Sequence, residues 1–249
     1  MGSAVSALGA DGSWTSTVAG NWSVAGKWAD GTVADGGGAA AWFTNNITAA
    51  CAITVNTNTR TLGKLFVGDA DNTHSFAIAA SGGAKLTFTN NGANAQLNQV
   101  STSKGDTLNS TLVLELGDSL VISNASANVL TLAGPITNAV ADVRTISNAG
   151  DGAGGLTISG VISNGGGTMA VIQGSANGLL TLSGNNTFTG GLLIKAGTVS
   201  GITSVNAFGS KTSVITLGDA SGSANITLTG GQAATYTNPI IVAAGNTGI

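Results

Sequence analysis

Leu179-Leu-Thr-Leu-Ser-Gly-Asn-Asn-Thr-Phe-Thr-Gly-Gly-Leu-Leu-Ile-Lys-Ala-Gly-Thr-Val199 is the stretch whose reading decides the fold. Leu180-Thr181-Leu182 alternates apolar and polar side chains, as a half-buried strand does. Gly184 interrupts it, and Asn185-Asn186-Thr187 makes a polar corner. Phe188-Thr189 then leads to a Gly190-Gly191 turn. A second strand passes through Leu193-Ile194, and Ala196-Gly197-Thr198-Val199 closes the unit. The unit is two short strands separated by glycine corners, and it contains no helical spacing.

Working outward, the same grammar fills the chain from Ile47 onward. Ile53-Thr54-Val55, Leu65-Phe66-Val67, Leu86-Thr87-Phe88, Leu112-Val113-Leu114-Glu115-Leu116, Leu120-Val121-Ile122 and Ile226-Thr227-Leu228 all read as short strands. Gly or Asn punctuates almost every one. The strands also repeat at long range. Val129 to Asn138 aligns with Gly155 to Asn164 at an offset of 26, and Leu179 to Gly184 follows at an offset of 24. Gly134, Gly160 and Gly184 are thereby equivalent, and Asn124, Asn138, Asn148 and Asn164 end similar strands. Periods of roughly 20–50 residues mark solenoids, propellers or arrays, and a propeller blade needs about 40. The offsets therefore predict a parallel β-helix of roughly ten coils, a rod about 50 Å long. Its corners are expected to use glycine for positive φ, and stacked Asn to form amide ladders between coils.

Composition agrees. Of 249 residues, 39 are Gly and only 8% are charged, against about 25% in an average protein. Stacked coils place like charges over one another, which is unfavourable, so a solenoid favours few of them. The formal charge of −3 offers no basic patch for nucleic acid. No apolar run reaches the ~20 residues of a membrane-spanning helix. The single cysteine, Cys51, excludes an internal disulfide and reads as a small buried residue.

Three regions are expected. Residues 1–10 read as a leader remnant or expression start, since Ser6 to Ala10 resembles the small-residue end of a secretory signal. Residues 11–45 hold all four tryptophans, Trp14, Trp22, Trp28 and Trp42. They read either as an aromatic N-terminal cap or as a platform for sugars, because large aromatics supply much area per residue. Residues 46–249 form the β-helix, continuing or docking at its C-terminal end, where Ile240-Ile241-Val242 is the last strand.

Residues 179–199 resemble the autotransporter-associated β-strand repeat of secreted bacterial passenger proteins. The match falls on Leu180, Thr181, Leu182, Ser183, Gly184, Asn186, Thr187, Phe188, Thr189, Gly190, Gly191, Ile194, Gly197, Thr198 and Val199. The Asn21-Trp22 pair and the segment Thr61 to Gly68 are similar to the opening module of such proteins. The resemblance implies a right-handed parallel β-helix outside a bacterial cell, at its surface or secreted, and no reaction. Leu192-Leu193 departs from the usual Thr-Thr. Adjacent strand residues face opposite sides, so one of these leucines is expected outward, and Val113, Val121 and Val161 or Ile162 raise the same question. An outward apolar stripe on a rod of low charge suggests lateral contact.

Groups for chemistry are few: one Glu (Glu115), one His (His74) and two Arg (Arg60, Arg144). A zinc site wants three or four ligands, and acid–base catalysis a positioned pair. Asp69, Asp71 and Asn72 form a weak calcium candidate with oxygen ligands, and otherwise read as an Asx-rich turn. No cofactor is expected. The expected role is a non-enzymatic extracellular structural protein that self-assembles into a filament, sheath or surface layer. Its contacts would be drawn from Trp14, Trp22, Trp28, Trp42, Leu192, Leu193, Ile240, Ile241 and Val242. An adhesin fragment presenting a glycan- or cell-binding surface is the alternative, and a polysaccharide-degrading enzyme the third reading.

Overall fold

The computed structural model describes residues 9–220, 225–231 and 235–245. The chain winds as a right-handed parallel β-solenoid with three sheets. The long sheet has ten strands, running from Gly12–Ser13 through Ala40–Phe43, Lys64–Val67, Ala95–Gln99, Leu120–Asn124, Arg144–Asn148, Met169–Gln173, Leu192–Ile194 and Ile215–Leu217 to Ile240–Val242. A second sheet of nine strands runs from Gly20–Asn21 to Ile226–Gly230. A short sheet of five strands spans Arg60–Leu62 to Ile162–Ser163. Every pairing between these strands is parallel. At about 4.8 Å per rung, ten rungs make a rod about 45 Å long.

The offsets read from the sequence are the register of the second sheet. Leu130 pairs with Leu156 and Leu156 with Leu180, the same two offsets in the same order. Ile136 stands over Ile162 in the short sheet. Along the long sheet the first steps are uneven: Gly12 to Ala41, then the shorter Ala41 to Leu65, then the longest of all, Leu65 to Leu97. From Leu97 onward the steps are shorter and more even, through Ile122, Asn148, Gln173, Ile194 and Leu217 to Val242.

Alternation sorts the side chains. Leu65, Leu97 and Ile122 point inward in one column, and Val171, Leu192 and Ile215 in another, all fully buried. The stretch 179–199 makes one full coil, since Leu180 pairs with Val199 on the next rung. Leu180, Leu182, Asn186, Phe188, Leu192, Ile194 and Val199 all face in. The short sheet ends at Ile162–Ser163 because the next coil offers side chains in place of a strand. The Ile162 N–H donates to Asn186 Oδ1 at 2.8 Å, and Asn186 Nδ2 donates onward to the Ala207 carbonyl at 2.7 Å. One amide thus spans three coils.

The equivalent glycines have a different cause from the one the sequence suggests. None of Gly134, Gly160 and Gly184 has positive φ. A Cβ on Gly160 would run into the Gly134 carbonyl oxygen, and one on Gly184 into that of Gly160. Space, rather than backbone freedom, selects glycine there. Positive φ does apply at Gly191 and Gly197, which turn the chain on either side of Leu192–Ile194.

The N-terminal end is closed by aromatics. Trp14, Trp22 and Trp28 are buried and meet Phe43 with centroids 4.9–5.6 Å apart at tilted or edge-on angles, an arrangement that ring quadrupoles favour. The Trp22 indole donates to the Ala34 carbonyl (3.0 Å) and that of Trp28 to the Trp22 carbonyl (2.7 Å). The assignment of residues 1–8 to a leader remnant lies outside the described residues. Gly9 and Ala10 belong to the fold: Gly9 N–H donates to Gly37 and Ala10 bridges Asp35.

Candidate interaction surfaces

Three of the four tryptophans serve as core, so Trp14, Trp22 and Trp28 present no face to a ligand. Trp42 differs. It lies on the outer face of the long sheet, half-buried, stacked on Phe66 from the next coil with centroids 5.7 Å apart and planes 7° from parallel. Stacking uses one face of each ring, and a single indole remains outside the core.

The Leu192-Leu193 pair divides as alternation requires. Leu192 is buried, and Leu193 projects from the outer face of the long sheet. Register places Leu193 in the outward column Gln96, Val121, Ser147, Ile172, Leu193, Thr216 and Ile241. Its apolar members are Val121, Ile172, Leu193 and Ile241, with the polar Gln96, Ser147 and Thr216 between them. Ala170, Ile172, Leu193, Val214 and Thr216 surround a shallow cleft of about 220 Å³, floored by Gly190 and Gly191. Ligand pockets for drug-sized molecules run to about 300–1,000 Å³. This cleft is the size for one or two side chains of an apposed surface. Val161 is exposed and Ile162 fully buried; Val113 and Val121 are half-buried on outer faces.

Ile240, Ile241 and Val242 form the last described rung of the long sheet and, among the described residues, pair with Ile215–Leu217 alone. Ile240 stands over Ile215 in a core column, yet Ile215 is 1% exposed and Ile240 56%. Val242, over Leu217, is 67% exposed. Among the described residues no coil lies over these positions.

The Asp69 turn is engaged by the protein's own backbone. Asp69 is fully buried. Its Oδ1 accepts the Ile47 N–H (3.0 Å); its Oδ2 accepts the N–H groups of Thr73 (3.1 Å) and His74 (2.8 Å) and the Thr73 hydroxyl (3.0 Å). Burial alone raises its pKa, but the N–H groups of Ile47 and His74 outweigh that and bring it from 3.8 to about 2. Asp71 caps Thr73 and Asn72 is exposed at positive φ. Asp69 Oδ2 and Asp71 Oδ1 meet on the Thr73 N–H and hydroxyl and build an Asx turn, which Asp69 Oδ1 ties to the preceding coil through the Ile47 N–H. Among the described residues no group of three or more His, Cys, Asp or Glu side chains is arranged to hold a metal.

Asp69 is one of a set. Asp11 accepts the Ala40 N–H (2.8 Å), Asp35 that of Thr61 (2.9 Å), Asp106 that of Phe76 (2.7 Å) and Asp118 that of Asn90 (2.7 Å). Each bond crosses between coils. Burial raises the Asp106 pKa beyond what the Ser103 hydroxyl and the Phe76 N–H recover, and the charge of Asp69 raises it further. Asp118 is partly desolvated, but the N–H groups of Asn90 and Gly92 and the Thr89 hydroxyl, helped by Arg144, bring its pKa below the usual value. Burial likewise raises the thiol pKa of Cys51.

Between the long and second sheets runs a buried polar spine. Gln99 Nε2 donates to Asn124 Oδ1 (2.9 Å), and Gln99 Oε1 accepts the Asp106 N–H (2.9 Å). Farther along, Asn148 Nδ2 donates to Gln173 Oε1 (2.8 Å), and Gln173 Nε2 to the Ser175 and Gly178 carbonyls. These are two separate amide pairs, each joining adjacent coils through one Gln and one Asn; Asn148 stands over Ile122 rather than over Asn124, so the described bonds do not form the continuous ladder of stacked Asn that was expected. The outward charges also pair between coils: Lys85 with Glu115 at 2.6 Å and Lys195 with Asp219 at 3.5 Å.

No helix among the described residues is long and apolar enough to cross a membrane. Compared with known proteins, the chain matches no family model, no curated protein and no solved structure.

Proposed function

We propose that this chain is a structural, self-associating β-solenoid that works outside the cell, in the manner of the autotransporter-associated repeat proteins that residues 179–199 resemble. The observation that carries the reading is the outward column Ile172–Leu193–Thr216–Ile241, apolar but for Thr216 and flanked by Val214 and the Gly190–Gly191 cleft, on a rod with 8% charged residues. A rigid rod with one apolar stripe is suited to packing side by side with its own copies. The rest of the surface supports a role without chemistry, because the carboxylates Asp11, Asp35, Asp69, Asp106 and Asp118 are occupied by backbone N–H groups. In this reading Trp14, Trp22 and Trp28 close the rod and take no part in binding sugar.

Sedimentation velocity over a range of concentrations, with negative-stain electron microscopy of the same samples, tests the proposal. Species larger than one chain are expected, growing with concentration and reduced in Leu193→Lys. A wild-type chain that sediments as a monomer throughout would rule it out.

A further inference from the structure

Two neighbouring outward columns of the long sheet differ in size, rung by rung. Strand residues two apart face the same way, so the residues two before the Leu193 column form a second one: Ser119, Thr145, Ala170, Gly191 and Val214. Thr145 pairs with Ala170; the Val171 N–H donates to the Gly191 carbonyl and the Leu192 N–H to the Val214 carbonyl, which keeps this column in register. Where the Leu193 column carries Val121, Ile172 and Leu193, the second carries Ser119, Ala170 and Gly191 on the same rungs. Ser147 beside Thr145 and Thr216 beside Val214 are closer in size. The cleft of about 220 Å³ is the consequence. It lies where Gly191 has no side chain, with Ala170 and Val214 along the rod and Leu193 beside it.

We infer that a second copy of this chain covers this face, with the two rods parallel, in register and related by a two-fold axis along their length. This inference rests on the self-association reading. A two-fold along the strands would reverse one rod and set each column against itself, large on large, with cleft facing cleft. A two-fold along the rod exchanges the two columns instead. Leu193 of each rod then enters the Gly191 cleft of the other, Ile172 lies over Ala170, and Val121 over Ser119. The core of a specific interface is packed as densely as a protein interior, and of the two arrangements only the parallel one fills the cleft. The contact is isologous and closes at two, so any larger array needs a further surface.

Charge and area fit a second copy as the occupant. A two-fold sets each group near its own image, so a charge would meet a like charge. From Ser119–Val121 to Val214–Thr216 neither column carries one. Lys64 lies in line with the Leu193 column but two rungs before Val121, and the contact begins beyond it. Arg144, next to Thr145, is turned aside, its Nε donating to the Gly117 carbonyl at 2.7 Å. Lys195, on the far side of Leu193, is paired with Asp219. The rungs from Val121 to Ile241 span about 29 Å, and the five-residue strands Arg144–Asn148 and Met169–Gln173 about 17 Å across. Each rod therefore offers about 500 Å² and the pair about 1,000 Å², the size at which a specific interface begins.

Spin labels on Ser123→Cys, Ala149→Cys and Lys195→Cys, one variant at a time, test the geometry. The three positions share one outward column on the far side of Leu193, and Cys51 is buried from the label. In parallel rods each label meets its image on the same rung, so all three variants should give one intermolecular distance, about 22 Å between backbones. Reversed rods cannot give one distance at three rungs. Ala170→Leu is the second test, read by sedimentation velocity. Ala170 faces outward, so the substitution adds apolar surface without entering the core. By blocking Ile172 of the other rod it should still raise the dimer dissociation constant about tenfold or more, with unchanged circular dichroism. Unequal distances at the three rungs, or a dimer that Ala170→Leu tightens or leaves unchanged, overturns this inference and leaves self-association standing. A wild-type chain that is monomeric at every concentration overturns both.

Discussion

The two halves of the rod are tied together by different chemical groups. Up to about Ser119 the bonds that cross between coils at the corners come largely from carboxylates: Asp11, Asp35, Asp69, Asp106 and Asp118 each accept a backbone N–H. Beyond it the same work falls to carboxamides. Asn124 donates to Gly155, Asn138 to Thr168, Asn164 to Thr189, Asn186 to Ala207, and Asn238 to Ser210 and Ser213. A carboxylate only accepts, whereas an amide accepts and donates. An amide can therefore take a bond from one coil and pass another to the next, as Asn186 does, so it suits a regular stack. A carboxylate ends the relay and repels its like, so it suits coils of uneven length. The register matches. Its steps scatter from Gly12 through Ala41 and Leu65 to Leu97, and are more even after that.

The largest effect is expected at the cap. Trp22→Ala should cost about 3–5 kcal/mol and loosen the N-terminal half first. All four tryptophans lie there, so the urea midpoint by indole fluorescence should fall below that by circular dichroism. Coincident midpoints would mean that the halves unfold as one. In the other half, Gly160→Ala should cost about 3 kcal/mol, since its methyl would collide with the Gly134 carbonyl; the fluorescence transition should move less than the dichroism.

Exchanging the corner groups sharpens the contrast. Asp69→Asn leaves one oxygen to serve four donors, and Asn186→Asp loses the donor to Ala207. Each should cost about 2 kcal/mol in chemical denaturation, although they are opposite substitutions. Equal tolerance of both would show that the corner groups are interchangeable.

Acid should separate the halves with a defined sign. Asp69 and Asp118 have lowered pKa values when folded. Their stabilisation is present above the unfolded value of 3.8 and is lost as pH falls, for Asp69 toward about 2. Fluorescence should therefore report acid unfolding at higher pH than dichroism does. Asp106 has the opposite sign. Its folded pKa is raised, so its contribution is full below 3.8 and is lost as pH rises through the folded value. Asp106→Asn, the smallest of these effects, should flatten the melting temperature against pH above 4 and leave the neutral-pH value unchanged or higher. A variant steeper than wild type would contradict the raised pKa.

Much of this is legible in the sequence, and the reasons for the rest are physical. The strands, the offsets of 24 and 26 and the Leu193 projection follow from alternation, because parity survives any register. Parity also places Gln99 and Gln173 inward, two positions after Leu97 and Val171. The rungs of the polar spine can be found that way. The Asp bridges cannot. Asp106 follows a Lys-Gly pair in a connection, and only the register that sets Thr107 over Ala77 brings it to the Phe76 N–H. Gly134, Gly160 and Gly184 are recognisable as equivalent, but their cause requires knowing how near the coils approach. Ile240–Val242 is legible as a strand; the exposure of Ile240 and Val242 in columns that are core at Ile215 and Ile194 is not.

The parallel register has a mechanical consequence. Every hydrogen bond between rungs lies along the rod axis, so a pull applied between Trp14 and Val242 loads the ladders end-on and one rung at a time. The rung Ile240–Val242, with one pairing partner among the described residues, should yield first. Each coil of roughly 25 residues would then release about 80 Å of extended chain, in a train of small and nearly equal force peaks rather than a single rupture. The tryptophan-packed coil should be the last to let go.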